Sequence, residues 1–130
     1  MKPYGYPPGT AWCGLFVHHV FTVAKVAHGV KGAALAANWS VPAAVIVSKS
    51  GKLTGNRVPV AGDLALYRFQ STRINHVELI VRWSLDNEES YFYALGGNTS
   101  NPANAKQQGV YIKKRSKREA YLVINRIDAI

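Results

Sequence analysis

The chain has 130 residues, a formal net charge of +9, and 48% hydrophobic against 18% charged residues. That length suits one domain and excludes two with separate cores, and the composition is that of a folded chain, not a disordered one. No run of about eighteen apolar residues is present to span a membrane, and the single cysteine excludes an internal disulfide framework and a thiolate-rich zinc site.

Met1 to Pro8 carry no apolar signal-peptide core. The expectation is one domain over residues 1–130, synthesised in the cytoplasm, with any action outside the cell dependent on separate delivery. Residues 1–9, rich in Pro, Gly and Tyr, are predicted to form an extended N-terminal arm. Thr10 is the predicted N-cap of a first helix. Leu15, Phe16, His19, Val20, Val23, Ala24 and Ala27 follow the spacing of one buried face, and Gly29 stops it. A second short helix is predicted across Gly32 to Trp39. A third is predicted from Val41, with Pro42 in its first turn, to about Ser50.

From Pro59 onward the texture is that of strands. Leu64 to Phe69, Val77 to Trp83, Tyr91 to Leu95, Val110 to Lys114 and Tyr121 to Arg126 are rich in β-branched and aromatic residues. Turn signals fall at Ala61-Gly62-Asp63, Asp86-Asn87, Gly96-Gly97-Asn98, and Asn101-Pro102 with Gly109. Helices first and strands afterwards argue an α+β fold, with N-terminal helices packed on an antiparallel sheet of five or so strands.

A lone cysteine is either a small buried hydrophobe or a reactive thiol. With Thr10 as N-cap, Cys13 falls in the first turn of its helix, where free backbone N–H groups and the helix dipole favour a thiolate. A nucleophilic cysteine needs a base. His18 and His19 lie about 8 Å or more along the same helix, and His28 sits at its predicted C-terminus. His76, at the head of an apolar strand, remains. If Trp83 faces Tyr91 across the hairpin, His76 faces Asn98, whose amide oxygen could accept from Nδ1–H and leave Nε2 for the thiol. Asn98 reads equally as a turn residue.

Five of the six residues from Lys113 to Arg118 are basic. Such a patch attracts polyanions, among them nucleic acid, anionic lipid and wall polymers, or simply keeps a strand end soluble.

At these residues the sequence resembles the CHAP amidase/endopeptidases, relatives of the NlpC/P60 group in the papain-like superfamily. TAWCGLFVHHVF resembles their nucleophile helix and VAGDLALYRF their "GD" strand entry. INHVELIV resembles their histidine strand, ALGGNTSN their "GN" strand end, and GVYIKKRS a late strand. The matches keep the family order from Thr10 to Ser116. The resemblance implies a papain-like fold and a thiol hydrolase of peptidoglycan amide bonds, found in phage lysins or antibacterial effectors. It assigns Cys13 as nucleophile, His76 as base and Asn98 as orienter. Many members carry a glutamate two residues before that asparagine; here the position is Gly96. The oxyanion is expected against the backbone N–H of Cys13, and Trp12, Tyr4 and Tyr6 are candidate substrate-binding walls or else packing aromatics.

No cofactor and no metal are expected. The expected partner is bacterial peptidoglycan, with no nucleic acid, no membrane insertion and a monomeric chain, reached through a phage particle, a holin or a secretion system. The alternatives are a non-catalytic wall or polyanion binding domain of the same fold, a nucleic-acid module, and a protein-directed cysteine protease.

Overall fold

A computed structural model describes residues 13–25, 36–40, 45–47, 58–69, 72–84, 91–101 and 103–125. One helix, α1 (Cys13–Val23), is followed by a 3₁₀ turn (Ala36–Trp39) and six strands: β1 (Val45–Val47), β2 (Leu64–Tyr67), β3 (His76–Trp83), β4 (Tyr91–Asn101), β5 (Asn104–Ser116) and β6 (Leu122–Ile124). They form one sheet in the order β1-β6-β2-β3-β4-β5, with every recorded neighbour pair antiparallel. The chain is therefore α+β with an antiparallel sheet, as its pattern of segments predicts.

Among the described residues the helical part is smaller than predicted. α1 ends at Val23, and Lys25 adopts a left-handed φ of 57°, so the chain turns before the predicted stop at Gly29. Of the second predicted helix, the described part is only the 3₁₀ turn. The third is contradicted at its centre: Val45-Ile46-Val47 pairs with β6 as a strand. Three consecutive β-branched residues lose side-chain freedom in a helix and fit a pleated surface.

The buried face of α1 is also rotated from the predicted one. Cys13, Gly14, Leu15, Val17 and Phe21 are buried, whereas His19, Val23 and Ala24 are exposed. Cys13, Val17 and Phe21 repeat at four-residue spacing and pack with Trp39, Leu64, Leu66, Val77, Leu79 and Ile124. Phe21 meets Trp39 edge-on at 5.7 Å. A second cluster contains Ala65, Tyr67, Ile80, Phe92, Ala94, Ala120 and Val123. Residues of β2 and β3 alternate between the two clusters, as a strand buried on both sides must.

The "GD" segment is a structural corner. Gly62 takes a φ of 94°, the left-handed region that glycine enters freely. Buried Asp63 accepts from the Val60 N–H at 2.8 Å through Oδ2, and its carbonyl accepts from Ile80 N–H at 2.8 Å. This locks the start of β2 against β3.

Two turn signals are overridden. Gly96-Gly97-Asn98 lies inside β4 and Gly109 inside β5. The chain reverses instead after Asn101, which faces Asn104. The irregularity that the glycines introduce is a register shift between Gly96 and Thr99, a bulge in place of a turn.

Candidate active site

His76 opens β3 and Glu78 follows two residues later. Side chains on a strand alternate between faces, so both project to the side opposite Val77 and Leu79. There they meet Tyr67, which lies across from His76 in the β2–β3 ladder, and Arg115 of β5.

Cys13 reaches this group from the other side of the sheet end. Its Sγ lies 4.0 Å from the carbonyl oxygen of Asn75, and the ionisation of the thiol is coupled to His76 and to the backbone of Val77 and Gly14. His76 Nε2 donates to Glu78 Oε2 at 2.9 Å, which leaves Nδ1 as the ring nitrogen outside that bond. This inverts the tautomer read from the sequence, which put Nε2 toward the thiol.

The third member of the group is therefore Glu78, which sequence reasoning passed over. A signal was present: a glutamate inside the apolar run Val77-Glu78-Leu79-Ile80-Val81, at the same-face spacing from a histidine. Glu78 is fully buried, and its carboxylate has four donors. Oε2 accepts from His76 Nε2 and from Arg115 Nη2 at 2.8 Å, while Oε1 accepts from Tyr67 Oη at 2.8 Å and Arg115 Nε at 3.1 Å.

The electrostatics follow from this packing. Burial alone would raise the Cys13 thiol, but the hydrogen bond and charge of His76, with the Val77 and Gly14 backbone, bring it below its ordinary value of 9.0. Burial alone would lower His76; its bonds to Cys13 and Glu78, and their charges, lift it instead from 6.5 to about 9. Burial would raise Glu78, yet its bonds to His76 and Arg115 hold it at about 2. The group thus favours imidazolium beside carboxylate at neutral pH and draws the ionisation of the thiol below its ordinary range.

The imidazole is also held by its neighbours. Its centroid lies 5.6 Å from the rings of both Tyr67 and Phe69, which stack on each other at 4.8 Å. Asn75 fixes this arrangement from the preceding loop. Its side chain accepts from the Phe69 N–H at 2.9 Å and donates to the Phe69 carbonyl at 2.7 Å, while its own N–H donates to the Tyr67 carbonyl.

Asn98 is placed by its backbone in β4, and its side chain lies outside the described residues. The hairpin register on which its assignment rested is off by one at the far end, where Trp83 faces Phe92 and not Tyr91. A bulge at Val81 absorbs the difference, and Leu79 faces Leu95 as the predicted register requires. The partner seen on His76 is nonetheless Glu78. Thr10 and the proposed walls Tyr4, Tyr6 and Trp12 also lie outside the described residues.

The basic run from Lys113 to Arg118 is not one solvated patch. Arg115 is buried against Glu78. Lys114 lies over the Tyr91 ring at 4.2 Å, and Lys117 donates to the Ser84 carbonyl at 2.9 Å beside Trp83. Among the described residues no group of three or more acidic, His or Cys side chains is arranged to hold a metal ion, and no helix is long and apolar enough to cross a membrane. No family model, curated protein or solved structure matches the chain.

Proposed function

We propose that the protein is a cysteine hydrolase of the papain-like kind that cleaves an amide bond of peptidoglycan, with Cys13 as nucleophile, His76 as acid and base, and Glu78 as the group that orients and charges the imidazole. The observation that carries this reading is His76 bonded to buried Glu78, with Cys13 at the adjacent Asn75 carbonyl and its ionisation coupled to the imidazole. A nucleophile, a base within reach of it and a third group that orients the base are the parts that thiol acyl transfer requires. The peptidoglycan substrate rests on the CHAP resemblance of the segments around Cys13, His76 and Gly96.

The chemistry runs as acyl transfer. The Cys13 thiolate attacks the amide carbonyl, and His76 gives its Nδ1 proton to the departing amine as the C–N bond breaks. Neutral His76 then takes a proton from water, which attacks the thioester, and the thiolate leaves with the imidazolium restored. Glu78 remains a carboxylate throughout. It accepts from Nε2–H in both halves of the cycle and so keeps Nδ1 aimed at the reacting atoms. Asn98 is left without the orienting role on this account. On this reading the oxyanion forms against a backbone N–H at the start of α1.

The test is digestion of purified sacculi by the wild type and by Cys13→Ala, with released fragments identified by mass spectrometry and casein as a parallel substrate. Fragment release that requires Cys13 supports the reading, and the masses name the bond. Casein cleavage alone would move the substrate to proteins. Binding to sacculi without release by either form would make the protein a wall-binding domain and refute catalysis.

A further inference from the structure

We infer that Arg115 is the positioning residue that keeps Glu78 ionised through the whole catalytic cycle, an inference that rests on the hydrolase reading above. Glu78 is a fully buried carboxylate shared by two cations. One of them, His76, loses its charge each time it delivers its proton to a leaving group. A buried carboxylate left without a counter-charge would take up a proton or pull His76 out of line. Arginine does not lose its charge at any pH where proteins are folded, so it sustains the carboxylate when His76 is neutral.

The geometry is that of a fixed fork. Nη2 meets Oε2 at 2.8 Å and Nε meets Oε1 at 3.1 Å, the paired contact in which guanidinium and carboxylate match best. The guanidinium carbon lies 5.1 Å from the Tyr67 ring centroid and 5.0 Å from that of Phe69, the same two rings that flank His76. On its far side Nη1 faces Glu119 Oε2 at 3.5 Å. Glu119 is set there by a capped turn in which its Oε1 accepts from Ser116 N–H and the Ser116 side chain accepts from Arg118 N–H. The ionisable groups around the pair are thus Tyr67 from β2, His76 from β3, Lys113 on β5, Glu119 from the turn after β5, and Cys13 of α1 beyond the imidazole.

A residue that served only folding would leave the reactivity of Cys13 unchanged in any variant that folds. The experiment therefore follows alkylation of Cys13 by iodoacetamide across pH in wild type, Arg115→Met and Arg115→Lys, with thermal melts to establish folding. It needs no substrate.

Arg115→Met is expected to slow alkylation at a pH below the thiol's midpoint by about tenfold, the effect of a one-unit rise in its pKa. Its profile should shift upward toward that of an ordinary thiol. Arg115→Lys, which keeps the charge and loses the fork, should recover part of the loss. If Arg115→Met does not fold, a smaller upward shift in Arg115→Lys supports the inference and an unshifted profile overturns it. A wild-type thiolate unaffected in folded Arg115→Met overturns this inference alone. A wild-type thiol with an ordinary profile overturns both it and the hydrolase reading.

Discussion

The side chain of Glu78 fills the space that a side chain at residue 96 would need: a Cβ built on Gly96 would lie 2.8 Å from Glu78 Cγ and 2.9 Å from Cδ. Here the neighbouring strand supplies a carboxylate to the same place, and the residue opposite is the one without a side chain. The absence of an acid at 96 and the presence of one at 78 are two sides of one packing solution.

Gly96→Ala is accordingly expected to disrupt the site. The new methyl would force Glu78 away from His76, at a cost of about 1–3 kcal/mol for overpacking a filled interior. Thermal melts and hydrolysis rates on the same preparation check this. A variant as stable and as active as wild type would mean that Glu78 has room to move without consequence.

Glu78→Gln keeps the shape of the side chain and removes its charge. His76 loses the main interaction that favours its protonated form apart from Cys13, so its pKa should fall from about 9 toward 6.5. Hydrolysis should drop on the order of 10²-fold. Titration of the His76 ring protons by NMR reads the first effect directly, and an unmoved midpoint would remove Glu78 from its assigned role.

Much of this site was legible in the sequence. Cys13 and His76 follow from one cysteine near a helix start and the elimination of three other histidines. Glu78 is harder to read, because its burial beside His76 depends on Tyr67 and Arg115, which only strand pairing brings to it. The strands from Leu64 onward were readable from β-branched and aromatic runs. The helical third was less so. Val45-Ile46-Val47 behind Pro42 imitates a helix start, and only pairing with β6 reveals a strand. Gly96-Gly97-Asn98 carries turn chemistry, yet pairing of Gly96 and Thr99 with β5 keeps it inside β4 as a bulge.

Stability should depend on acid in a direction set by Glu78. Its folded pKa of about 2 lies below the ordinary 4.5. Its contribution to stability is therefore fully present above about 4.5 and is lost as pH falls toward 2. Denaturant midpoints measured across that window should fall more steeply for wild type than for Glu78→Gln. Parallel curves would show that the carboxylate contributes no pH-dependent stability.

Asn75→Ala removes two hydrogen bonds to the Phe69 backbone. Because Asn75 is exposed, water can replace them, and the stability loss should be small, about 1 kcal/mol. Activity should fall further than that loss explains, since Phe69 flanks His76. A melt shift without a change in rate would confine Asn75 to the loop.

The most direct test of the central claim is the ultraviolet absorption of the Cys13 thiolate, taken as wild type minus Cys13→Ala through a pH titration. The Cys13–His76–Glu78 geometry predicts a thiolate signal whose midpoint lies below 9.0, the ordinary thiol value, because His76 favours the ionised sulfur. A signal that first appears around 9.0 would show an unactivated thiol and contradict the account.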